Sequence, residues 1–297
     1  MTDVLVVGES LVDIVQRADG TSVEYAGGSA ANVAVALARL GRPVQFVTAY
    51  AADARGAVLA RHLNQSAVAV AGDPHALERT ATAVATLAAD GSASYTFDID
   101  WRLNPVPAVS PVVVHTCSLG AVLRPGADDV RRLLELLRPT ATVSYDLNIR
   151  PAVTGTGPDV VRAVEEVVAL ADLVKASDED LEALYPDDTV EQSVEHLFGL
   201  GPSAVVVTRG RDGATWFSVD GRVDAPSTDV EVADTIGAGD TFGAAMLDAL
   251  WELDVLRGRL PAMNAAVIEA VLRRAARAAA VTVSRPGADP PYRHELL

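Results

Sequence analysis

The sequence predicts an α/β fold: three layers, α/β/α, with a mainly parallel central sheet and a small β-lid. Three observations carry this reading. Short apolar runs rich in Val, Leu and Ile alternate with helical patterns along almost the whole chain, the arrangement of parallel strands joined by crossover helices. Glycine turns, Gly27-Gly28 and Gly237 to Gly239, fall where strands give way to helices, and ligands in such folds gather at the carboxyl ends of strands. Residues 11–25 and 80–97 read as extended but break the alternation, with apolar/polar patterning over 83–87 and 94–97 and a turn at Asp90-Gly91. They do not fit a parallel core, so a lid is expected from about 11–25 and 80–100. Without an internal repeat, low-complexity tract or Pro-rich linker, residues 1–297 are read as one domain.

Each element has its own signal. Val4–Val7 is a buried strand, 30–40 a helix ended by Gly41, and 44–48 the next strand. A strand over 112–117 precedes an amphipathic helix over 128–137, which Pro139 stops. Thr142–Asp146 is a strand, followed by a helix over 160–171 and a short strand over 173–175. Asp178–Leu184 begins a helix, and Ala204–Thr208 is a strand. Residues 215–219 and 222–224 form an antiparallel pair joined at Asp220-Gly221, a hairpin dipeptide. Helices over 241–253 and 262–281 close the series.

Composition narrows the partners. Hydrophobic residues make up 49% and charged residues 22%, with a net charge of −16. So acidic a surface repels nucleic acid and anionic membranes, so neither is expected as a partner. No apolar run approaches the roughly 20 residues of a membrane span, and the amino terminus lacks a signal-peptide pattern. A cytoplasmic protein is expected. The single cysteine, Cys117, sits in an apolar run and reads as a buried thiol, with no disulfide framework or multi-cysteine metal site. Arginine outnumbers lysine 23 to one, Lys175 being the exception; codon bias in a GC-rich genome accounts for this imbalance.

The most informative stretch is Asp234-Thr235-Ile236-Gly237-Ala238-Gly239-Asp240, followed by an apolar run. It reads as a tight turn opening a helix, where unpaired N–H groups and the positive end of the helix dipole cradle an anion. A carboxylate, Asp240, closes that cradle, an arrangement suited to taking a proton from a nucleophile that attacks a phosphate. Gly27-Gly28-Ser29-Ala30-Ala31-Asn32 opens another helix, and Asn32 offers both donor and acceptor to sugar hydroxyls; the same loop would also serve as an ordinary cap. Asp13 after the first strand could accept two hydroxyl hydrogen bonds, or simply shape a turn. Neither a P-loop nor a dinucleotide-binding glycine pattern occurs.

These two motifs, about 200 residues apart and in this order, resemble the ribokinase-like (PfkB) family of carbohydrate kinases. Gly27 to Asn32 with Gly41 is similar to its amino-terminal signature, and Asp234 to Asp240 to its D-T-x-G-A-G-D signature. The resemblance implies a ribokinase-like fold and transfer of the ATP γ-phosphoryl group to a sugar hydroxyl. It makes Asp240 the base, and the amides of Gly237, Ala238 and Gly239 the anion hole. Val207-Thr208-Arg209-Gly210-Arg211-Asp212-Gly213 is similar to the family's nucleotide loop, assigning Thr208, Gly210 and Gly213 to ATP. Asp146-Leu147-Asn148-Ile149-Arg150 resembles the D-x-N-x-R run of fructokinases and 2-keto-3-deoxygluconate kinases, with Arg150 over the cleft. Ser177 and Asp180 stand where the family commonly has the N-x-x-E pair near Mg²⁺. That places Ser177 at the nucleotide and Asp180 at Mg²⁺ through water, unless the two simply cap a helix. Some members need K⁺, and Asp234 could help build that site.

The run 91–101 most resembles fructokinases, and Asp98 and Asp100 disfavour an acidic sugar. Tyr95 and Phe97 would stack on the sugar ring or pack within the lid. Residues 284–291 are similar to the family's adenine-side terminus, although Arg277 stands where relatives often have Asn. The expected activity is therefore ATP- and Mg²⁺-dependent phosphorylation of a neutral monosaccharide, fructose first. A 2-keto-3-deoxygluconate kinase, a ribose or nucleoside kinase, and a catalytically silent sugar-binding relative are the alternatives. A lid edge strand could pair two copies into a homodimer.

Overall fold

Strands buried on both faces need apolar residues on both, and the central sheet has them. In β1 (Val4–Val7), Val4 and Val6 face one core while Leu5 and Val7 face the other. The computed structural model describes residues 3–17, 19–87 and 93–296; the expected turn at Asp90-Gly91 lies outside them. The next strands are β2 (Leu11–Gln16), β3 (Ser22–Gly27), β4 (Val44–Val47), β5 (Ala69–Val70), β6 (Thr82–Leu87) and β7 (Ala93–Asp98). They are followed by β8 (Val113–Cys117), β9 (Thr142–Asp146), β10 (Leu173–Ser177), β11 (Ala204–Thr208), β12 (Ala214–Ser218) and β13 (Gly221–Ala225).

Nine of these strands form the central sheet in the order β13-β12-β11-β10-β9-β8-β1-β4-β5. All neighbours run parallel except at one edge, where β11–β12 and β12–β13 are antiparallel. The remaining four make a separate sheet, β3-β2-β6-β7, in which β2 and β6 are parallel and the outer pairs antiparallel.

Five helices precede residue 155 or end there: α1 (Ser29–Arg39), α2 (Ala54–Gln65), α3 (Ser118–Val122), α4 (Gly126–Leu137) and α5 (Pro151–Thr154). Five more follow: α6 (Pro158–Val168), α7 (Asp178–Leu184), α8 (Val190–Leu200), α9 (Ala238–Glu252) and α10 (Ala265–Val283). Side chains of α1, α2, α9 and α10 fill the core on one face of the sheet, and those of α4, α6, α7 and α8 the core on the other. Three layers result, as expected. No helix among the described residues is long and apolar enough to cross a membrane.

Several boundaries move for local reasons. Gly237 takes a left-handed conformation, φ 75°, as the N-cap of α9, so the helix begins at Ala238 rather than 241 and draws Asp240 into its first turn. The β12–β13 turn is Val219-Asp220, because Gly221 already pairs with Ser218. Helix α6 begins on Pro158, suited to the first helical position, and stops at Val168, short of the expected 171. Helices α2 and α8 were not anticipated. Asp53 caps α2 by accepting the Gly56 N–H, and a Thr189/Gln192 capping box starts α8.

One buried carboxylate ties the far ends of the helices together. Asp248 of α9, 0% exposed, accepts from Arg42 at 2.6 Å and Arg293 at 3.0 Å and also pairs with Arg274 of α10. Arg293 donates in addition to the Leu40 carbonyl at 2.6 Å, and Arg39 to Asp289 and the Pro290 carbonyl. The segment after α10 is thereby strapped across α1 and α9. Asp248→Ala leaves three guanidinium groups without their shared acid. It is expected to lower unfolding stability by about 3 kcal/mol, the low end for breaking a buried pair because the arginines keep some water. Urea denaturation measures this, and an unchanged midpoint would contradict the clamp.

Candidate active site

Strand ends and helix starts converge at one edge of the central sheet, and Asp240 stands where they meet. It is 7% exposed. From α1, Ser29 Oγ donates to its Oδ1 at 2.6 Å and Asn32 Nδ2 to its Oδ2 at 2.8 Å. Asn148, beyond β9, donates in turn to Ser29 Oγ at 2.8 Å. Asn148 is left-handed, φ 38°, as is Ser118 beyond β8, φ 50°, and Ser118 Oγ donates to the Asn148 carbonyl at 3.1 Å. Asparagine tolerates that conformation better than most residues. The chain of donors fixes one carboxylate in one orientation while α9 presents its amino terminus beside it.

Of the expected amides, Ala238 N–H turns back to the Thr235 carbonyl at 3.3 Å. Thr241 N–H starts the helical ladder on Gly237 O at 2.9 Å, and the Gly239 and Asp240 amides have no backbone acceptor. An anion at this helix start therefore meets unpaired N–H groups and the positive dipole end. Gly237 has no room for a side chain: a Cβ there would lie 2.7 Å from Ala288 Cβ.

Beside this helix start lies a cavity of about 820 Å³, lined at one end by Ala238, Gly239 and Thr235 and by Thr208, Gly210 and Gly213. Its other end is apolar, with Ala276, Ala279 and Val283 of α10 and Val230. Polar groups at one end thus face small apolar residues at the other. Asp234 shapes the turn from behind, its two oxygens accepting from Ile236 N–H at 3.0 Å and Gly287 N–H at 2.8 Å.

On the other side of Asp240 stands the small sheet. Cross-strand register puts Tyr25, Asp13, Ala83 and Phe97 in one row, so all four side chains share a face. Tyr95 shares it too, its ring stacked on Phe97 at 6.3 Å and 8°. Tyr25 and Tyr95 are 52% and 63% exposed. Gly27 lets the Asp13 carboxylate lie over the backbone, since a Cβ there would sit 2.1 Å from Oδ2. Burial pushes the Asp13 carboxyl up to about 6, opposed by Arg150. Arg150 itself donates to the Ile149 carbonyl at 2.9 Å.

Ser177 and Asp180 form a full capping box at the start of α7. Asp180 Oδ2 accepts Ser177 N–H and Oδ1 accepts Ile149 N–H, both at 2.7 Å. Each oxygen already holds a backbone donor, so this pair fits poorly as direct Mg²⁺ ligands: Oδ2 belongs to the cap and Oδ1 ties α7 to the loop after β9. Asn32, expected to face the sugar, gives its Nδ2 to Asp240.

Four groups at the site escaped the sequence reading. Tyr25 joins the Asp13 row only through strand register. Glu9, 3% exposed beyond β1, accepts Gly120 N–H at 2.7 Å. Burial pushes its carboxyl up to about 7, its own N–H and that of Gly120 pull it down, and Asp240 raises it again. Asp146 and Lys175 pair at 2.7 Å on neighbouring strands β9 and β10. Cys117 is buried as expected, and burial drives its thiol well above the ordinary range.

Known proteins resemble this chain over nearly its full length. The model for "pfkB family carbohydrate kinase" matches residues 1–295. A fructokinase of Rhizobium leguminosarum bv. trifolii is 32% identical over 261 residues, covering 83% of this chain and 79% of its own. A fructokinase of Xylella fastidiosa solved with bound ATP superposes with a TM-score of 0.84 at 26% identity, over 100% of this chain and 98% of the other. A fructokinase double mutant of Vibrio cholerae O395, with fructose, ADP and potassium bound, gives 0.81 at 26% identity over 97% and 94%.

Glu9 supplies a pH test of the site's burial. Its folded-state value, about 7, lies above the ordinary 4.5, so between these values the folded chain holds a proton that the unfolded chain has released. Stability tied to Glu9 is therefore full below pH 4.5 and is lost as pH rises towards 7. Glu9→Gln, always neutral, removes that loss. Its melting temperature relative to wild type should climb between about pH 4 and about pH 8; a constant difference across that range would show that folding does not raise the Glu9 carboxyl.

Proposed function

The chain belongs to the pfkB family of carbohydrate kinases, and from that premise we propose that it transfers the γ-phosphoryl group of ATP to a hydroxyl of fructose. The observation that carries this reading is the buried Asp240 carboxylate, held by Ser29 and Asn32 at the amino terminus of α9, with the large cavity on one side and the Asp13 row on the other. ATP lies in the cavity, its base against Ala276, Ala279 and Val283 and its phosphates towards Gly210, Gly213 and the turn at Gly237. The sugar lies between Asp240 and the small sheet, with Asp13 accepting from its hydroxyls and Tyr95, Phe97 and Tyr25 covering it.

Asp240 accepts the proton of the attacking hydroxyl, and Ser29 and Asn32 keep its oxygens aimed at that proton. Amides at the start of α9 face the charge gathering on the transferring group. Because they are oriented before reaction begins, they need no rearrangement, which is the main source of rate enhancement in such transfers. Mg²⁺ supplied with ATP would neutralise phosphate charge there, and Asp180, its oxygens already taken by backbone donors, would hold it through water. Asp234, bound to two amides, shapes the turn, and K⁺ activation is a separate property to be tested with the salt varied.

The whole chain acts as one domain, with the four-stranded sheet as a lid that excludes water when sugar is bound. Its free edges, β3 and β7, and its exposed tyrosines support a homodimer formed through the lid. We assign the enzyme to the cytoplasm, where ATP is supplied.

Asp240→Asn is expected to lower kcat by roughly 10²–10⁴, the range for loss of a general base, with ATP binding little changed. Coupled ADP release measures it, and turnover near wild type would remove Asp240 from its role. A panel of neutral and acidic sugars in the same assay should give fructose the highest kcat/KM. Preference for an acidic sugar would transfer the reading to a ketodeoxygluconate kinase with Arg150 on the carboxylate.

A further inference from the structure

In a chain with 23 arginines, the single lysine occupies the one place among the described residues where a lysine or arginine is fully buried. Lys175 is 5% exposed and its partner Asp146 2%. Its ammonium lies under the first turn of α9: a Cβ on Gly239 would sit 3.4 Å from Nζ, and one on Gly243 3.7 Å from Cδ. Gly239 and Gly243 are four apart and so share one face of the helix. Neither has a positive φ, so what these two glycines provide is a groove for the lysine. The wider guanidinium of an arginine would not seat between Asp146 and that groove.

The pair is a poor device for stability. Asp146 uses Oδ2 for Lys175, while Oδ1 is buried without a hydrogen-bond partner. Two charges taken out of water with one acceptor left unsatisfied cost more than an apolar pair of the same size. The surroundings are otherwise acidic: Glu9 beyond β1, Asp146 on β9, Asp180 on α7 and Asp240 on α9. Arg150 beyond β9 is the other cation facing them; from β8 the Cys117 thiol lies among them uncharged, and burial together with Lys175 keeps the His115 imidazole neutral. Burial works against the charge on Lys175, but Asp146, Asp180 and Asp240 together hold its pKa above the ordinary range. A phosphate arriving at the α9 amides meets strong repulsion from these acids, and Lys175 is the cation directly beneath it.

We propose that Lys175, held by Asp146 in the groove of Gly239 and Gly243, is a positioning residue for phosphoryl transfer. Its fixed ammonium offsets the repulsion between Asp240 and the incoming phosphate, while touching neither sugar nor nucleotide. This rests on the kinase reading above, and the two fail separately. Absence of sugar-dependent ADP release in the wild type would overturn that reading, whereas the inference is judged from variants of an active enzyme.

The test is the double variant Lys175→Met with Asp146→Asn, which removes both charges at nearly constant volume and leaves no unpaired ion. Its melting temperature should stay near that of wild type, and KM for sugar should change little. The acid limb of the kcat–pH profile should move up, by less than the full effect of losing an opposite charge at this range, because the Asp146 carboxylate goes with the ammonium. kcat therefore falls below wild type only on that limb, by the factor the displacement sets, and equals it at higher pH. A profile superimposed on wild type would make the pair merely structural and overturn the proposal. Should the double variant not fold, Asp146→Asn alone decides. With Lys175 no longer half-neutralised, the acid limb should move down, and an upward or absent movement would overturn the proposal.

Discussion

The contact between α1 and the carboxylate of Asp240 is the constraint on which the site depends. Ser29 and Asn32 come from the first helix and Asp240 from the ninth, over 200 residues later. They meet because α1, entered from the small sheet, and α9, entered from the edge hairpin, pack against each other on one face of the central sheet. A parallel sheet gathers the carboxyl ends of its strands at one edge, so distant loops arrive there together. Without this convergence the donors of α1 would have only solvent before them, and Asp240 would be an ordinary acid in a first helical turn.

The site also concentrates charge where water is scarce. Glu9, Asp146 and Asp240 are all buried close to one another, with Lys175 among them. Such a cluster weakens the fold, since each buried carboxylate either keeps its proton at some cost or needs a cation beside it. The sheet bears this because its two apolar cores are large and continuous. A net charge of −16 does not decide the field at the site, because a helix amino terminus and one buried ammonium act over a few ångströms, while the surface field is screened by salt.

Much of this architecture was legible in the sequence because its signals are local. Strand bounds at Val4–Val7, Thr142–Asp146 and Ala204–Thr208 follow from apolar runs between turn residues, and the string from Asp234 to Asp240 contains its own turn, helix start and acid. Long-range contacts were not legible. Asn32 reads as a free amide until α9 lies beside it. Tyr25 belongs with Asp13 and Phe97 only once two strand registers are known, and a slip of one residue would send it to the opposite face. Glu9 and Asp146 look like ordinary acids at strand ends, and Lys175 like a lone cation in an apolar run. Ser177 with Asp180 shows the converse: a pair placed near the metal by resemblance carries, in its own local pattern, the signal of the cap it forms.

The clamp around Asp248 has a consequence for how the chain is made. Its carboxylate is buried among Arg42, Arg274 and Arg293. Translation delivers these cations one at a time, Arg42 before the acid and the other two after it. Helices α1 and α9 can meet on the ribosome, yet their far ends stay loosely joined until Arg293 emerges and reaches both Asp248 and the Leu40 carbonyl. The nascent polypeptide thus makes most of its length before Arg42 has an acid to meet, and the joint through Arg293 is the last of the three to form.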